Sequence, residues 1–576
     1  MRAFAVLLIA AALYLIAYFF YGKRLEKNVV KADKDAQTPA VRLRDDVDYC
    51  PTNRYVLFGH HFASIAGTGP VLGPAMAMAW GWLPGLLWVW LGNIFIGATH
   101  DYLALMASVR YDGKSIQWVA GRIMNRRTSY TFGIFIWFTM ILVIAAFISV
   151  TASMFVSTPQ AATPAVALIF IAMLIGFLMY RTGMGFRSST ILGVILLIAT
   201  TFMGYALPLN LSYGQWNVVL FVYIVFASAL PVWSLLQPRG YLDSFLLYAG
   251  LALGFFALVF TFSPFDFPAF TLFSANVIGS GNGIPSPFLP AVPLIIACGA
   301  LSGFHSIVGS GTTSKQLDNE VNGLMVGYGG MLTEGFLATI VIASIAIFGT
   351  AVIAKNASII ESAGYSVSAL LSDPVYLGEN YLGVTNLFEG APTFFAMCYA
   401  TLLENFAGIP YDFGMIFTIL WLSSFAMTSL DTAARLARFT WQELLEPVKG
   451  FNMLKNRWVA SIMPALFGVI LSYGGTYSQL WPAFAGMNQL LASIALLTSS
   501  VWVTKYLRAE RKYVYLTVIP AIFLWLLVTA ALLWYLLYVR PITIGVEIML
   551  AIGLVLNFVL LYDFQNRMRL PGEVTS

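Results

Sequence analysis

Charged residues are nearly absent from fifteen or so stretches of this chain, and each stretch approaches the ~20 residues that a helix needs to cross a bilayer. They lie near 3–21, 60–79, 84–109, 131–156, 164–180, 188–208, 216–235, 241–262, 288–310, 331–354, 412–434, 457–473, 481–504, 513–537 and 541–562. None shows the two-residue alternation of a half-buried strand, and only helices and closed barrels satisfy their backbone inside lipid. A further apolar run at 390–408 suggests another hairpin or re-entrant pair between 355 and 411. The pattern therefore predicts an all-α polytopic membrane protein of about 15–17 transmembrane helices.

Polar connections reach only roughly 35 residues, too short for a soluble domain. The whole chain, 1–576, reads as one membrane domain with a peripheral first helix at 3–21 and C-terminal helices at 513–562. Loop 22–55 carries Lys23, Arg24, Lys27, Lys31, Lys34, Arg42, Arg44 and Arg54, and loop 110–130 carries Arg110, Lys114, Arg122, Arg126 and Arg127. The positive-inside rule makes both cytoplasmic. Alternation then places the N-terminus outside and the C-terminus inside. It also places 157–163, 209–215, 263–287 and 474–480 outside, and these four connections contain no lysine or arginine. A retained stretch between 355 and 411 must contribute an even number of crossings, or the basic loop containing Arg435, Arg438, Lys449, Lys455 and Arg457 would fall outside.

Composition adds little beyond this. The chain is 59% hydrophobic and 10% charged, which excludes a soluble nucleic-acid-binding protein. Cys50, Cys298 and Cys398 form no disulfide framework. Gly113-Lys114-Ser115 lacks the upstream glycine of a phosphate-binding loop, so nothing suggests drive by ATP.

Two segments break the helical pattern. The first runs His60-His61-Phe62-Ala63-Ser64-Ile65-Ala66-Gly67-Thr68-Gly69-Pro70, with Gly73-Pro74 beyond it. Glycine and proline disfavour a continuous helix there, and broken backbone survives in a membrane only where protein or a watery cavity satisfies it. The second, Gly303-Phe304-His305-Ser306-Ile307-Val308-Gly309-Ser310-Gly311-Thr312-Thr313, repeats the core Ser-Ile-(Ala/Val)-Gly-(Thr/Ser)-Gly. The two run in opposite directions on this topology, which points to an inverted-repeat transporter with broken helices near 60–79 and 288–315. All four histidines, His60, His61, His100 and His305, fall in or beside these elements.

The runs GHHFASIAGTGPVLGP, GWLPGLLWVWLGNIFIGATHD, SGFHSIVGSGTTSKQ, FEGAPTFF, TSLDTAARLARF and WPAFAGMNQLLA occur in order over a core of about 56–505. Together they closely resemble the carbon starvation protein A family of membrane transporters. The resemblance implies a prokaryotic cytoplasmic-membrane carrier with a LeuT-like inverted-repeat core. It implies pyruvate or short peptides as substrates. Coupling to H⁺ or Na⁺, with no cofactor, is the expectation for such a carrier.

Residue chemistry gives the candidate sites. Backbone N–H groups around Gly67, Thr68 and Gly69, and around Ser310, Gly311 and Thr312, would suit a carboxylate at half-helix N-termini. Ser64 and Thr313 add hydroxyls that also suit Na⁺, and Lys315 adds a positive charge. Asp101 in an apolar helix needs a partner or a proton. His100, as its immediate neighbour, should not share its helix face, so the expected partners are the histidines of the broken helix. His60, His61, His100, Asp101, His305, Glu334 and Glu404 are the candidates for proton or ion coupling. Adjacent His60 and His61 point about 100° apart on a helix and no metal-binding spacing is present, so no metal is expected. Asp431 and Arg435, four apart, are expected to pair along one helix face as a gate latch. Asn488 and Gln489 are expected to tie helices together rather than touch substrate. An intramembrane enzyme with a His/Asp site, or a passive channel, remains the alternative to a carrier.

Overall fold

The computed structural model describes residues 2–45, 48–231, 234–271, 274–275, 286–446, 450, 452–474, 477–538 and 544–570. Among the described residues the architecture is helical, with one two-residue antiparallel pair, Ser274–Ala275 against Ser286–Pro287. Among the described residues, eleven helices are long and apolar enough to cross a membrane, and a pair bent by 45°, Arg54–Ala66 with Gly69–Trp80, passes the same test taken together as one broken span or a re-entrant loop. Two shorter apolar helices, Tyr213–Ala229 and Arg457–Tyr473, and an interrupted element over 288–311 fill the remaining segments that hydropathy marks.

The elements that build the site are α1 (Arg54–Ala66), α2 (Gly69–Ala77), α3 (Trp82–Gly92), α4 (Ala98–Arg110), α5 (Arg126–Ser157), α6 (Tyr213–Ala229), α7 (Leu236–Thr261), α8 (Phe288–Ile295), α9 (Gly303–Gly311), α10 (Gly330–Lys355), α11 (Ala391–Ala407), α12 (Tyr411–Leu445) and α13 (Tyr477–Val501). The longest of these, α5 and α12, pack along each other. Lipid offers no hydrophobic drive between helices, so close approach depends on small residues and interlocking rings. Gly250 of α7 lies against the Trp421 ring, with no room for a Cβ. Trp137 and Trp441 join α5 to α12 at 4.9 Å between ring centroids, and Trp481 packs on Phe484 at 4.9 Å.

Chain direction follows from contacts at the ends. The Lys355 ammonium at the end of α10 sits 4.4 Å from the ring of Tyr411, which opens α12. The stretch between them therefore adds no net crossing, as the charge pattern requires. At the other end of the bundle the loop before α1 docks on the segment after α9: Cys50 N donates to Lys315 O at 3.1 Å and Thr52 N to Gln316 O at 3.0 Å. Arg42 pairs there with Asp112, and Arg110 with Glu320 at 2.8 Å.

Candidate functional site

The first break is set by one glycine. Asn53 caps α1 by accepting the Tyr55 amide at 3.0 Å, and the helix runs to Ala66. Gly67 then takes φ +48°, where a Cβ would lie 2.7 Å from Ser429 Oγ and 3.0 Å from the Phe147 ring. Only glycine fits this turn. Pro70 at the start of α2 gives up an amide that has no helical partner in any case. Ser429 Oγ donates to Ser64 O at 3.2 Å, while the buried Thr68 Oγ1 has no partner.

The second break falls between Ile295 and Gly303, upstream of the repeated motif. Its freed groups are met from three sides. Gln489 Nε2 donates to Pro293 O, to Ile296 O at 3.2 Å and to Leu294 O at 3.4 Å, and Trp481 Nε1 donates to Ile295 O at 3.2 Å. Asn93 Nδ2 donates to Gly299 O and Met331 O, both at 2.7 Å. Asn488 Oδ1 accepts the Phe304 amide at 2.8 Å, and its Nδ2 donates to Ser302 Oγ at 2.9 Å. Asn488 and Gln489 thus tie helices, as their position in an apolar segment suggests. The two breaks touch each other: Gly69 lies against Cys298, and Gly299 against Pro70.

The charged side chains gather beside the second break. Asp101 on α4 accepts from His305 Nδ1 at 2.8 Å through one carboxylate oxygen and from His100 Nδ1 at 2.8 Å through the other. His305 Nε2 faces Glu334 Oε2 at 3.5 Å, and Glu334 Oε1 accepts the Gly299 amide at 3.2 Å. All four residues are at most 2% exposed. Two π-helical turns precede the acidic members, Asn93–Gly97 before Asp101 and Leu324–Gly329 before Glu334. Such turns offset side chains from the regular helical face. His61, on α1, bonds Thr313 Oγ1 at 2.8 Å, and its Nε2 is buried without a partner. His60 faces Gly240 of α7 and its Nδ1 also lacks a partner.

Several expectations need correcting. His100 does pair with Asp101: a 100° offset separates Cβ directions, but a ring and a carboxylate can swing toward each other. The amides at Ser310–Thr312 are not free donors. They end α9, where Thr312 N already bonds Val308 O at 3.0 Å and carbonyls are the exposed groups. A helix C-terminus repels a carboxylate, whereas Thr68–Gly69 opens a helix. Ser310 Oγ accepts the Ile116 amide at 3.0 Å, and Ser64 Oγ donates to His60 O at 2.8 Å. Ser310, Gly311 and the half-buried Lys315 line a cavity of about 190 Å³ with Lys114, Tyr49 and Glu443. Lys315 Nζ sits 5.4 Å from the Tyr49 ring and 5.8 Å from the Phe439 ring. Glu404 is exposed near the end of α11, outside the buried cluster.

Asp431 does not pair with Arg435. It bonds Arg239 Nη1 at 2.7 Å and accepts from Tyr223 OH at 2.6 Å. Arg435 instead donates to Ala227 O at 2.7 Å and Leu230 O at 2.6 Å, covering the open carbonyls at the end of α6. Spacing along one helix cannot reveal a stronger partner on another. The Arg239/Asp243 pair, four apart at the start of an apolar helix, was the available signal. Because Arg239→Ala leaves the buried Asp243/Asp431 pair without its bonded cation, it should destabilise the fold by about 3–5 kcal/mol. Arg435→Ala should cost clearly less, and thermal unfolding of the two variants in detergent compares them.

Cys298 Sγ, a His305 ring nitrogen and a Glu334 oxygen lie within 4.8 Å of one another, a spacing that could hold a metal ion. This trio does not include His60 or His61, the pair weighed from sequence.

Known proteins align with the chain along nearly its full length. It is 33% identical to the peptide transporter CstA of Bacillus subtilis, over 97% of this chain and 96% of that protein. It is 32% identical to the pyruvate/proton symporter BtsT of Escherichia coli, over 92% and 81% of the two chains. Among solved structures, a manganese transporter of Eremococcus coleocola superposes with a TM-score of 0.42 at 14% identity, over 91% of this chain and 98% of that one. The sequence profile described as Carbon starvation protein CstA matches residues 2–531. With that match over most of its length, the chain belongs to the carbon starvation protein CstA family.

Proposed function

We propose that this protein is a secondary active uptake transporter for a small carboxylate such as pyruvate, or for short peptides, driven by protons across a prokaryotic cytoplasmic membrane. The observation that carries the reading is the buried cluster His100, Asp101, His305 and Glu334 set against the second break. One imidazole stands between two carboxylates, bonded to Asp101 and 3.5 Å from Glu334 with no hydrogen bond there, and Glu334 also holds the Gly299 amide. A proton arriving on this cluster changes the charge beside the very backbone that must move during alternating access. The substrate carboxylate takes the N-terminus of α2 at Thr68 and Gly69, where partial positive charge and an unpartnered hydroxyl meet. The end of the bundle carrying Arg42, Arg110 and Lys315 is cytoplasmic, which leaves the N-terminus outside and the C-terminus inside. Sequence kinship with a peptide transporter and a pyruvate/proton symporter supports both substrate classes.

The test is uptake of labelled pyruvate and of a labelled dipeptide into proteoliposomes under an imposed pH gradient or sodium gradient. Accumulation driven by the pH gradient alone is the expected result. Accumulation under the sodium gradient alone, or of neither substrate, refutes the reading. Chelation by EDTA should leave uptake unchanged. Inhibition by EDTA that zinc reverses would reassign Cys298, His305 and Glu334 to a metal ion.

A further inference from the structure

A second buried charged cluster lies on the far side of α1, between α7 and α12. Arg239, Asp243 and Asp431 are each at most 1% exposed. Arg239 Nη1 bonds Asp431 Oδ2 at 2.7 Å, and its Nε stands 3.8 Å from Asp243 Oδ2. Tyr223 OH donates to Asp431, and Thr428 Oγ1 donates to Asp243. Those contacts use one oxygen of each carboxylate. Asp243 Oδ1, Asp431 Oδ1 and Ser424 Oγ are buried with no hydrogen-bond partner.

Asp243 and Asp431 touch one guanidinium between them, that of Arg239. Arg435, one turn along α12, donates to the Ala227 and Leu230 carbonyls of α6 and adds only a through-space positive charge near Asp431. The other titratable groups facing the cluster are Tyr223 of α6 and His60 of α1, whose Nδ1 lies beside Gly240. A buried carboxylate oxygen with neither donor nor bonded counter-ion is relieved by taking up a cation. Arg239 already occupies the cationic position between the acids, so a metal ion would be repelled, whereas a proton needs no such space.

We propose that Asp243 and Asp431 share one exchangeable proton, bound as a carboxyl O–H beside Ser424 and separate from the proton of the Asp101 cluster. No other bond forms or breaks. The cluster clamps α7 to α12, and α12 holds the first break through Ser429 and Ser64, so this proton sets how firmly α1 is held. The proposal rests on the proton-coupled reading above and extends it: a monocarboxylate entering with two protons carries a net positive charge inward.

Two measurements test it. The first is pyruvate uptake into proteoliposomes under a potassium diffusion potential, at equal pH on both sides. An inside-negative potential should speed wild-type uptake several-fold. In Asp243→Asn the response to potential should vanish while uptake still follows a pH gradient. The second needs no substrate: the infrared difference between wild type and Asp243→Asn at neutral pH should show loss of a carboxylic acid C=O band. Wild-type uptake indifferent to potential, a variant that keeps the response, or the absence of that infrared band would overturn the proposal. If pyruvate is not transported at all, the coupled reading fails separately, and the infrared measurement alone decides this one.

Discussion

Replacing Asp101 by asparagine is expected to lower steady-state accumulation of substrate about tenfold under a one-unit pH gradient, while exchange of substrate between the two sides continues. The aspartate accepts from two imidazoles at 2.8 Å each. Asparagine has a single acceptor oxygen and turns an NH₂ group toward the other ring, so one of the two bonds is lost and no proton can be carried at that position. One pH unit is worth about 1.36 kcal/mol per proton, which is the energy of a tenfold concentration ratio. A variant that loses all exchange has lost its structure rather than its coupling, so counterflow of labelled substrate is measured beside accumulation. Unchanged accumulation in Asp101→Asn would remove this residue from the coupling path.

Gln489→Leu is expected to destabilise the protein more than any other single change around the second break. The leucine fills similar space but leaves the Pro293 and Ile296 carbonyls, and the more distant Leu294 carbonyl, without their shared donor. An unsatisfied buried acceptor costs about 1–3 kcal/mol, and no water lies in a bilayer core to replace the lost bond. Ser493→Ala, which removes a hydroxyl bonded only to Leu490 O of its own helix, is the control and should be nearly silent. Thermal unfolding in detergent distinguishes them, and equal midpoints for Gln489→Leu and wild type would show that the break is held by something else.

Helices and their interruptions could be read from the chain because lipid restricts the backbone so severely. Gly67 and Pro70 mark the first break directly, and an amide pair in an apolar helix, Asn488 and Gln489, announces that some other backbone needs partners. The exact position of the second break could not be read that way. The repeated motif drew attention to Ser310–Thr312, whereas the chain opens at residues 296–302, where Asn93, Trp481, Asn488, Gln489 and Glu334 supply the missing partners from three other helices. Long-range pairing was the least legible feature. Asp431 and Arg435 have ideal spacing for each other, but the open end of α6 draws Arg435 away and Arg239 takes Asp431. Glu404 looked equivalent to Glu334 in a one-dimensional reading, yet one is exposed and the other completely buried.

Everything proposed for this transporter depends on the coupling of proton to substrate through the Asp101 cluster. The most direct test of that coupling adds pyruvate to sodium-free, weakly buffered proteoliposomes and follows the external pH. Alkalinisation in step with pyruvate entry is the expected result, with fewer protons taken up per pyruvate in Asp101→Asn than in wild type. Pyruvate entry with no pH change, or entry that requires sodium, would contradict it.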